Sequence, residues 1–510
     1  MQLQRFGILL FVTFFSGNLF AQNNTVRGTV FVDSNKNGIF DAGEKGVENV
    51  CVTNGEKVVL TGENGSWQLE TPANSTVFVI QPFGYRVPLN KYKIPQHYFP
   101  IQKRAENSPL QKINFPLIQQ KEDTNFSVVF FGDPQARGIK EVNYVFHDVV
   151  EELIGTDAAF GVSLGDIVAD DPELMDDISQ GVAQIGIPWY NVFGNHDYDR
   201  HATTNEERDD TFERFFGPST YAFEYGQVVF ISLNNIYFNK EGKYYPHFTE
   251  KQLAFVNNYL QFVPENKLVV LMMHAPIVSC DNREKMYQII QNRKHTFSIS
   301  GHVHEQMNLF VNKEMGWGGN EPHHHLVNAT VCGSWWCGLK DEQGIPHATM
   351  NDGAPNGYSI ISFEGNQYSI RFKAARRPAG YQMNIYIPDE IAKNELDTIQ
   401  VLVNVFAGSE RSKVEMRVSQ HDNWIVLDTV KTVDPACMEM YKQSAFLNKT
   451  VEGKPLDEVF GYAMDYPSIC RHMWQGKLPG NLAQGTYTLT VKTTDMFHKT
   501  WTENRIFKVK

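Results

Sequence analysis

The sequence is poor in cysteine, in positive charge and in long apolar runs. Only 6 of its 510 residues are cysteine, and 46 Lys and Arg stand against 58 Asp and Glu, which gives a net charge of −12. Because phosphate backbones are held mainly by Lys and Arg, this balance argues against a nucleic-acid partner. After the N-terminal segment, no apolar run approaches the ~18 residues of a membrane span. We therefore expect no integral membrane span there.

The N-terminal segment is the apolar exception. Phe6–Phe15 is almost wholly apolar, follows Arg5, and leads to Ala21. This is the outline of a secretory signal peptide over residues 1–21. We therefore expect an exported protein, periplasmic or extracellular, and an uncleaved membrane anchor is the alternative.

Export permits disulfide bonds between the few cysteines. Cys332 and Cys337 are close enough in sequence to bridge, and Cys437 could bridge to Cys470. The six cysteines allow many pairings, so the sequence alone does not decide their connectivity.

The patterning of the chain predicts three domains after the signal peptide. Residues 23–118 show short alternating runs separated by Gly, Asn and Pro, which indicates a small β-sandwich. Residues 126–375 alternate apolar strands with helix-like segments, which favours a layered α/β domain. Residues 380–510 return to strand-like alternation, and we expect a C-terminal β-rich domain there.

A loop in the first domain fits the calcium-binding loop template. Its candidate ligands are Asp33, Asn35, Asn37, Ile39, Asp41 and Glu44. Gly38 supplies the tight turn at the sixth position of the template. The flanks look like strands, so the motif predicts a calcium loop in a β-sandwich and not an EF-hand. A hairpin turn without metal is the alternative.

Five apolar runs in the central domain are each followed at once by polar residues of the kind that bind metals. The runs are Ser127–Phe131, Ala158–Leu164, Ile187–Phe193, Leu268–Met273 and His295–Ser300. They lead in turn to Asp133-Pro134-Gln135, to Asp166, to Asn195-His196-Asp197, to His274, and to His302-Val303-His304. Sites in layered α/β domains form at the carboxyl ends of strands. We therefore expect these side chains to converge in one place.

This ordered set of motifs resembles the calcineurin-like metallophosphoesterase family. Asp133-Pro134-Gln135 further resembles a variant subfamily in which a β-sandwich precedes the catalytic domain and a β-rich domain follows it. The resemblance implies a four-layer α/β/β/α core with these two flanking domains. It also implies a metal-dependent phosphoric ester hydrolase with two divalent or mixed-valence metal ions, acting on a small-molecule phosphate ester.

The resemblance also implies a role for each ligand. Asp166 would bridge the metals, Asp133 and His304 would hold the first, and Asn195, His274 and His302 would hold the second. Two cations can bridge a hydroxide that attacks phosphorus, because a bound cation lowers the pKa of water. Gln135 stands where the family usually has His, and either coordinates through oxygen or hydrogen-bonds to bound water. The metal, whether Mn, Fe, Zn or Mg, stays open.

His196 follows a metal ligand, so we expect its ring to reach the phosphate. There it would stabilise developing charge or protonate the leaving oxygen. Asp197 would orient that ring, with a helix N-cap as the equal alternative. Arg200 is a candidate phosphate contact.

Two further clusters lie beyond the ligand motifs. His323-His324-His325 is expected in a solvated loop, and a place in the substrate pocket or the capture of adventitious metal is the alternative. Trp335 and Trp336 would either form an aromatic wall for the organic part of a substrate or pack in the core.

The ligand residues leave the function partly open. They do not distinguish a phosphomonoesterase from a phosphodiesterase. A non-catalytic surface-binding protein with a relic metal site is the alternative from another class. The sequence names neither the substrate nor the oligomeric state.

Overall fold

The computed structural model describes residues 23–73, 75–101, 111–419 and 423–510. The expected signal peptide, residues 1–21, lies outside the described residues. Within the described ranges, no helix combines the length and apolar character that crossing a bilayer requires.

The N-terminal domain consists of two packed β-sheets. Its strands are β1 (Asn23–Val32), β2 (Cys51–Thr53), β3 (Val58–Leu60), β4 (Ser66–Pro72), β5 (Ser75–Val79), β6 (Tyr85–Arg86), β7 (Tyr98–Ile101) and β8 (Gln111–Gln119). The sheet orders are β4-β1-β8-β6 and β3-β2-β5-β7. Val26 and Trp67 from one sheet share a core with Val52 and Val77 from the other, which is the arrangement of a β-sandwich.

The central domain alternates strands with helices. Its strands are β9 (Asn125–Phe131), β10 (Phe160–Ser163), β11 (Trp189–Asn191), β12 (Tyr221–Tyr225), β13 (Val228–Leu233), β14 (Ile236–Phe238), β15 (Tyr244–Pro246), β16 (Leu268–Met273), β17 (Thr296–Ser300), β18 (Met307–Val311), β19 (His323–Val327), β20 (Gly357–Glu364) and β21 (Gln367–Ala374). Its helices are α1 (Ile139–Val145), α2 (Glu151–Leu153), α3 (Leu174–Val182), α4 (Asp210–Phe216), α5 (Glu250–Leu260) and α6 (Arg283–Ile290).

These strands form two sheets that lie face to face. The first has the order β11-β10-β9-β20-β21, and the second has the order β12-β13-β16-β17-β19-β18. Alternate residues of β9 face opposite ways: Val128 and Phe130 pack with Phe230 of the second sheet, whereas Val129 and Phe131 pack beneath α1 and α3. Helices α5 and α6 pack against the second sheet. The four-layer α/β/β/α core that the resemblance implied is therefore confirmed.

The C-terminal domain is a second β-sandwich with a helical insertion. Its elements are β22 (Met383–Tyr386), β23 (Glu390–Ile391), β24 (Gln400–Val405), β25 (Lys413–Val418), β26 (Ile425–Val426), β27 (Asp428–Val433), α7 (Pro435–Ser444), β28 (Thr450–Val451), β29 (Lys454–Pro455), α8 (Leu456–Phe460), β30 (Ile469–Lys477), β31 (Gly485–Thr494) and β32 (Thr500–Val509). The main sheet orders are β22-β24-β30-β27 and β23-β32-β31-β25-β26. Their shared core includes Val403 and Trp474 from the first sheet and Leu489 from the second.

The histidine triplet corrects a prediction, because it is neither a solvated loop nor part of the metal centre. It opens β19, and all three rings are buried inside the second sheet. His323 and His325 share the hydroxyl of Ser298, each with a ring nitrogen 2.7 Å from that oxygen. His324 lies 2.8 Å from the Tyr368 hydroxyl. Burial lowers the pKa of His323 and of His324 to about 3.

The expected disulfides are also corrected, since all six cysteines are free and buried. Cys332 directs its sulfur toward Gln135, at 3.4 Å from Oε1. Cys337 instead packs beside Cys437 and Met464. The two thiols that are near in sequence therefore serve different cores.

Candidate metal centre

The predicted ligands sit on turns with unusual backbone geometry. The φ angles are 39° at Asp133, 45° at Gln135, 47° at Asp166, 78° at His302 and 56° at His304. Non-glycine residues seldom adopt the left-handed region, and each such residue costs about 1–3 kcal/mol. Strain concentrated on these residues is typical of a site where the fold imposes side-chain positions.

Two glycines of the motifs let these turns approach one another. A Cβ on Gly194 would collide with the backbone and carboxylate of Asp166, and a Cβ on Gly301 would collide with the carboxylate of Asp133. Gly194 and Gly301 are therefore required by the close packing of the turns that carry the ligands.

One group of predicted ligands converges closely. The ligand atoms of Asp166, His274 and His302 all lie within 4.8 Å of one another. Nε2 of His274 is 3.2 Å from Oδ2 of Asp166 and 3.1 Å from Oδ1 of Asn195. It is also 3.2 Å from Nδ1 of His302. These are the residues that the resemblance implied for the second metal, with the bridging carboxylate.

The residues implied for the first metal lie beside this group. Nε2 of His304 is 3.3 Å from Oδ2 of Asp133. The Asp133 carboxylate accepts the backbone N–H of His302, at 2.9 and 3.1 Å. The Asp133 carboxylate thus contacts both histidines of the His-Val-His motif.

Two ring tautomers are set by backbone carbonyls. Nδ1 of His274 donates to the carbonyl of Leu164 at 2.8 Å, and Nδ1 of His304 donates to the carbonyl of Gly333 at 2.6 Å. In both rings this leaves Nε2 as the nitrogen that faces the cluster, which is how metal-binding histidines are commonly oriented.

The donor set fits cations. Asp133 and Asp166 are buried, and within the described ranges their only ion-pair partners are histidines. Burial alone would lower the pKa of His274, yet the adjacent Asp166 raises it to about 9. Buried carboxylates need compensating positive charge, and imidazole nitrogens together with carboxylate oxygens are common metal ligands. The residues present therefore suit the metal ions that the motifs imply.

Gln135 enters the cluster through hydrogen bonds. Its Nε2 donates to Oδ2 of Asp166 at 3.1 Å, and its Oε1 lies 3.4 Å from the sulfur of Cys332. In this orientation the amide oxygen points toward the thiol. Whether Gln135 ligates a metal stays a prediction.

His196 is held by a carboxylate that the sequence interpretation missed. Its backbone N–H donates to Oδ1 of Asp166 at 2.8 Å, and its ring Nδ1 is 2.8 Å from Oδ1 of Asp170. Arg200 approaches the other oxygen of Asp170 at 2.9 Å. Arg200 is thus paired with the carboxylate that orients His196. The sequence carried one signal, because Asp170 follows Asp166 by only four residues.

Asp197 corrects the sequence-based assignment. Its carboxylate accepts the backbone N–H groups of Ile167, Val168 and Gly194, at 2.8, 3.1 and 2.9 Å. It therefore neither orients the ring of His196 nor caps a helix. It fastens the turn that carries Asp166 to the turn that carries His196.

Aromatic rings border the centre on two sides. Trp335 packs with its ring centroid 4.9 Å from that of His196 and 5.6 Å from that of His304. Tyr244, which is 42% exposed, has its ring centroid 5.8 Å from that of His302. Trp336 is buried and donates its indole N–H to the carbonyl of Pro134 at 3.0 Å. Of the two tryptophans, one borders the centre and the other packs in the core.

The candidate calcium loop belongs to the N-terminal domain. Asp33 accepts the backbone N–H groups of Asn37 and Gly38 at 3.1 and 2.8 Å. Glu44 accepts those of Ser34 and Asp41 at 2.9 and 3.0 Å. The loop is thus closed by its own carboxylates, and calcium binding there stays a prediction.

Three models of one family match consecutive parts of the chain. Calcineurin-like phosphoesterase matches residues 126–306. The model for the N-terminal part of calcineurin-like phosphoesterases matches residues 34–119, and the model for their C-terminal part matches residues 325–501. A chain with this core and this donor set is a metal-dependent phosphoric ester hydrolase. It belongs to the calcineurin-like phosphoesterases, in the form that carries both an N-terminal and a C-terminal domain.

Two solved phosphatase structures are similar to parts of this chain. A dimetal phosphatase from Danio rerio is 12% identical and covers 49% of this chain and 96% of its own, with a TM-score of 0.36. A purple acid phosphatase from yellow lupin (Lupinus luteus) seeds is also 12% identical and covers 64% of this chain and 67% of its own, with a TM-score of 0.36. No curated protein matches the chain.

Proposed function

We propose that the protein is an exported dinuclear-metal phosphoesterase that hydrolyses a small-molecule phosphate ester. The observation that carries this proposal is the convergence of Asp166, His274 and His302 within 4.8 Å, with Asp133 and His304 alongside. Five separate strands supply these atoms and their neighbours, and all five end at the same place. A chance cluster of polar side chains would not show this arrangement.

The chain's own residues divide the work around the phosphate. When bound, two metal ions would supply positive charge for the ester oxygens and a nucleophile from water at neutral pH. His196, held by Asp170, would present Nε2 to the leaving oxygen as a proton donor or as a partner for its charge. Asp197 would keep this ring in register with Asp166 by fastening both turns.

The donor set supports a transition metal at the position of His274 and His302. Imidazole suits Zn, Fe and related metals, whereas Mg²⁺ prefers oxygen ligands and bound water. We therefore propose Zn, Fe or Mn, and not Mg, for that position.

Export is proposed from the N-terminal apolar segment alone. Phe6–Phe15 has the length and composition of a signal-peptide core. Cell fractionation of the full chain, with N-terminal sequencing of the product, tests this. We expect a mature N terminus near Gln22, and an intact N terminus in the cytoplasm would contradict it.

Metal content and hydrolysis, measured on one sample, test the catalytic proposal. We expect the chain without residues 1–21 to bind two metal ions and to hydrolyse p-nitrophenyl phosphate or its bis(p-nitrophenyl) ester. D166N should lose metal because the shared carboxylate loses its charge. H196A should keep metal, but its rate should fall roughly 10²–10⁴-fold, the usual contribution of general acid–base catalysis.

A surface histidine provides the matched control. His147 is half-exposed and pairs with Glu151 at 2.7 Å, so H147A should keep both metal and rate. A preference for one of the two nitrophenyl esters decides between monoesterase and diesterase. Full activity in D166N or H196A would reject the assignments, and a wild type that binds metal without turnover would favour the non-catalytic alternative.

A further inference from the structure

A buried ion pair joins the C-terminal domain to the loop that carries two predicted metal ligands. Nε2 of His472, on β30, lies 3.0 Å from Oδ2 of Asp352. The same carboxylate oxygen accepts the backbone N–H of Gln306 at 2.7 Å, and Oδ1 accepts that of Ala354 at 3.0 Å. Gln306 follows His304 by two residues, so Asp352 stands between the C-terminal sheet and the ligand loop.

A second connection runs beside the first. The backbone N–H of Ser468, just before β30, donates to the carbonyl of Asn351 at 2.9 Å. The N–H of Asn351 in turn donates to the carbonyl of His304 at 3.2 Å. The start of β30 therefore reaches the ligand loop twice, each time through the short segment 351–352.

The surroundings of His472 make it a donor on both sides. Asn404 uses its Nδ2 to donate to Asp434 at 2.8 Å, so its Oδ1, 2.7 Å from Nδ1 of His472, is an acceptor. A ring with acceptors at both nitrogens carries two protons. Burial opposes this charge, but Cys470 and Asp352 outweigh it and hold the pKa of His472 well above its ordinary value.

We propose that His472 is a positioning residue for the metal centre. Through Asp352 it lets the C-terminal β-sandwich hold the loop that places His302 and His304. The two ligands occupy left-handed backbone positions, and strained positions persist only where the surroundings enforce them. The C-terminal domain then contributes to the metal centre by holding this ligand loop in place. This inference rests on the proposed function, since it takes these histidines as ligands.

Substitutions at both ends of the ion pair test the inference. D352N removes the charge but keeps the size, H472L removes both donors, and H472Q keeps one donor toward Asp352. We expect D352N and H472L to weaken Zn²⁺ binding by roughly 10–100-fold, the usual effect of losing an outer partner of a ligand. H472Q should lie between them and the wild type. The readouts are Zn²⁺ affinity by chelator competition, kcat and KM for a nitrophenyl ester, and Tm without metal.

A carboxylate with two lysine partners elsewhere in the same domain provides the control. Glu415 is 7% exposed and pairs with Lys413 and Lys492 at 2.7 and 3.0 Å. E415Q should lower Tm without changing Zn²⁺ affinity. If H472L does not fold, D352N and H472Q decide.

Each outcome separates the inference from the proposed function. Folded D352N and H472L with wild-type Zn²⁺ affinity would overturn the inference. It would also be overturned if E415Q lost Zn²⁺ affinity to the same extent for the same fall in Tm. A wild type that binds none of Zn²⁺, Fe²⁺ and Mn²⁺ would overturn the proposed function as well. D166N that loses metal while D352N keeps it would overturn the inference alone.

Discussion

At the scale of single residues, one carboxylate decides what His196 can do. Asp170 occupies the Nδ1 side of the ring at 2.8 Å, so Nε2 is the nitrogen left for substrate. Asp170 itself lies at φ 68° and is paired with Arg200. The ring is therefore held in one orientation before any substrate arrives, which lowers the cost of reaching the transition state.

Replacement of Asp170 by Asn should slow turnover and leave the metals in place. The variant loses the charge that holds Nδ1–H, while Asp133, Asp166 and the ligand histidines are unchanged. We expect kcat to fall roughly 10–100-fold, with a changed pH profile and an unaltered metal content by elemental analysis. D171N, at the exposed neighbouring position, is the control. A kcat equal to that of the wild type would exclude this role for Asp170.

At the scale of elements, β19 shows how a strand can hide polar residues. Strands β17 and β19 are parallel neighbours, with Ser298 opposite His325. Hydroxyls on one strand therefore face imidazoles on the other, and Ser298 bonds to both His323 and His325. Each ring is hydrogen-bonded, so burial costs little while the rings stay neutral.

This strand should make the protein sensitive to acid. In the folded state burial lowers the pKa of His323 and His324 to about 3, so the unfolded chain takes up protons first. The contribution of these neutral histidines to stability is fully present above the ordinary histidine pKa of about 6.5. It is lost as pH falls from there toward about 3. Each of these histidines lowers the free energy of unfolding by up to about 1.4 kcal/mol per pH unit in that window.

Thermal unfolding between pH 7 and pH 4 checks this sign. The substitution H324Q can keep hydrogen bonds to Tyr368 and Asn308 but removes one titrating ring. We expect it to flatten the fall of Tm with acid relative to the wild type. H147Q, at a half-exposed site, should leave the slope unchanged. An equal slope in H324Q would contradict the assignment of acid sensitivity to β19.

At the scale of the whole molecule, the metal centre is a meeting point for strand ends and domains. The first sheet supplies Asp133 and Asp166, the second supplies His274 and His302, and the C-terminal domain supports the last turn through Asp352. A ligand that binds such a centre only in the folded state stabilises the entire fold.

Removal of metal should therefore lower Tm. At free metal a hundredfold above Kd, binding contributes about 2.7 kcal/mol to stability. We expect a chelator to lower the Tm of the wild type by several degrees, as seen by calorimetry, and re-addition of Zn²⁺ to restore it. D166N should show no such change. A Tm indifferent to chelator in the metal-loaded wild type would contradict the coupling.

The order of the motifs was enough to predict the core and its likeness to a family. Apolar runs of strand length that end in Gly and a polar ligand determine both a sheet and the edge where its site forms. Asp166, His274 and His302 were expected to converge for this reason, and they do. This part depends on local pattern and on one general rule of sheet architecture.

The sequence by itself thus determined the strands and the strand ends, because periodicity and short motifs are local properties. Through the resemblance that its motifs carry, it also implied the four-layer core and the chemical type of the centre. Only the tertiary structure decided which side chains contact one another. Asp170 and not Asp197 holds His196, β19 buries its histidines against Ser298, and the six cysteines stay apart. His472 meets Asp352 from another domain. Such pairings depend on register and packing between distant segments, which no local pattern encodes.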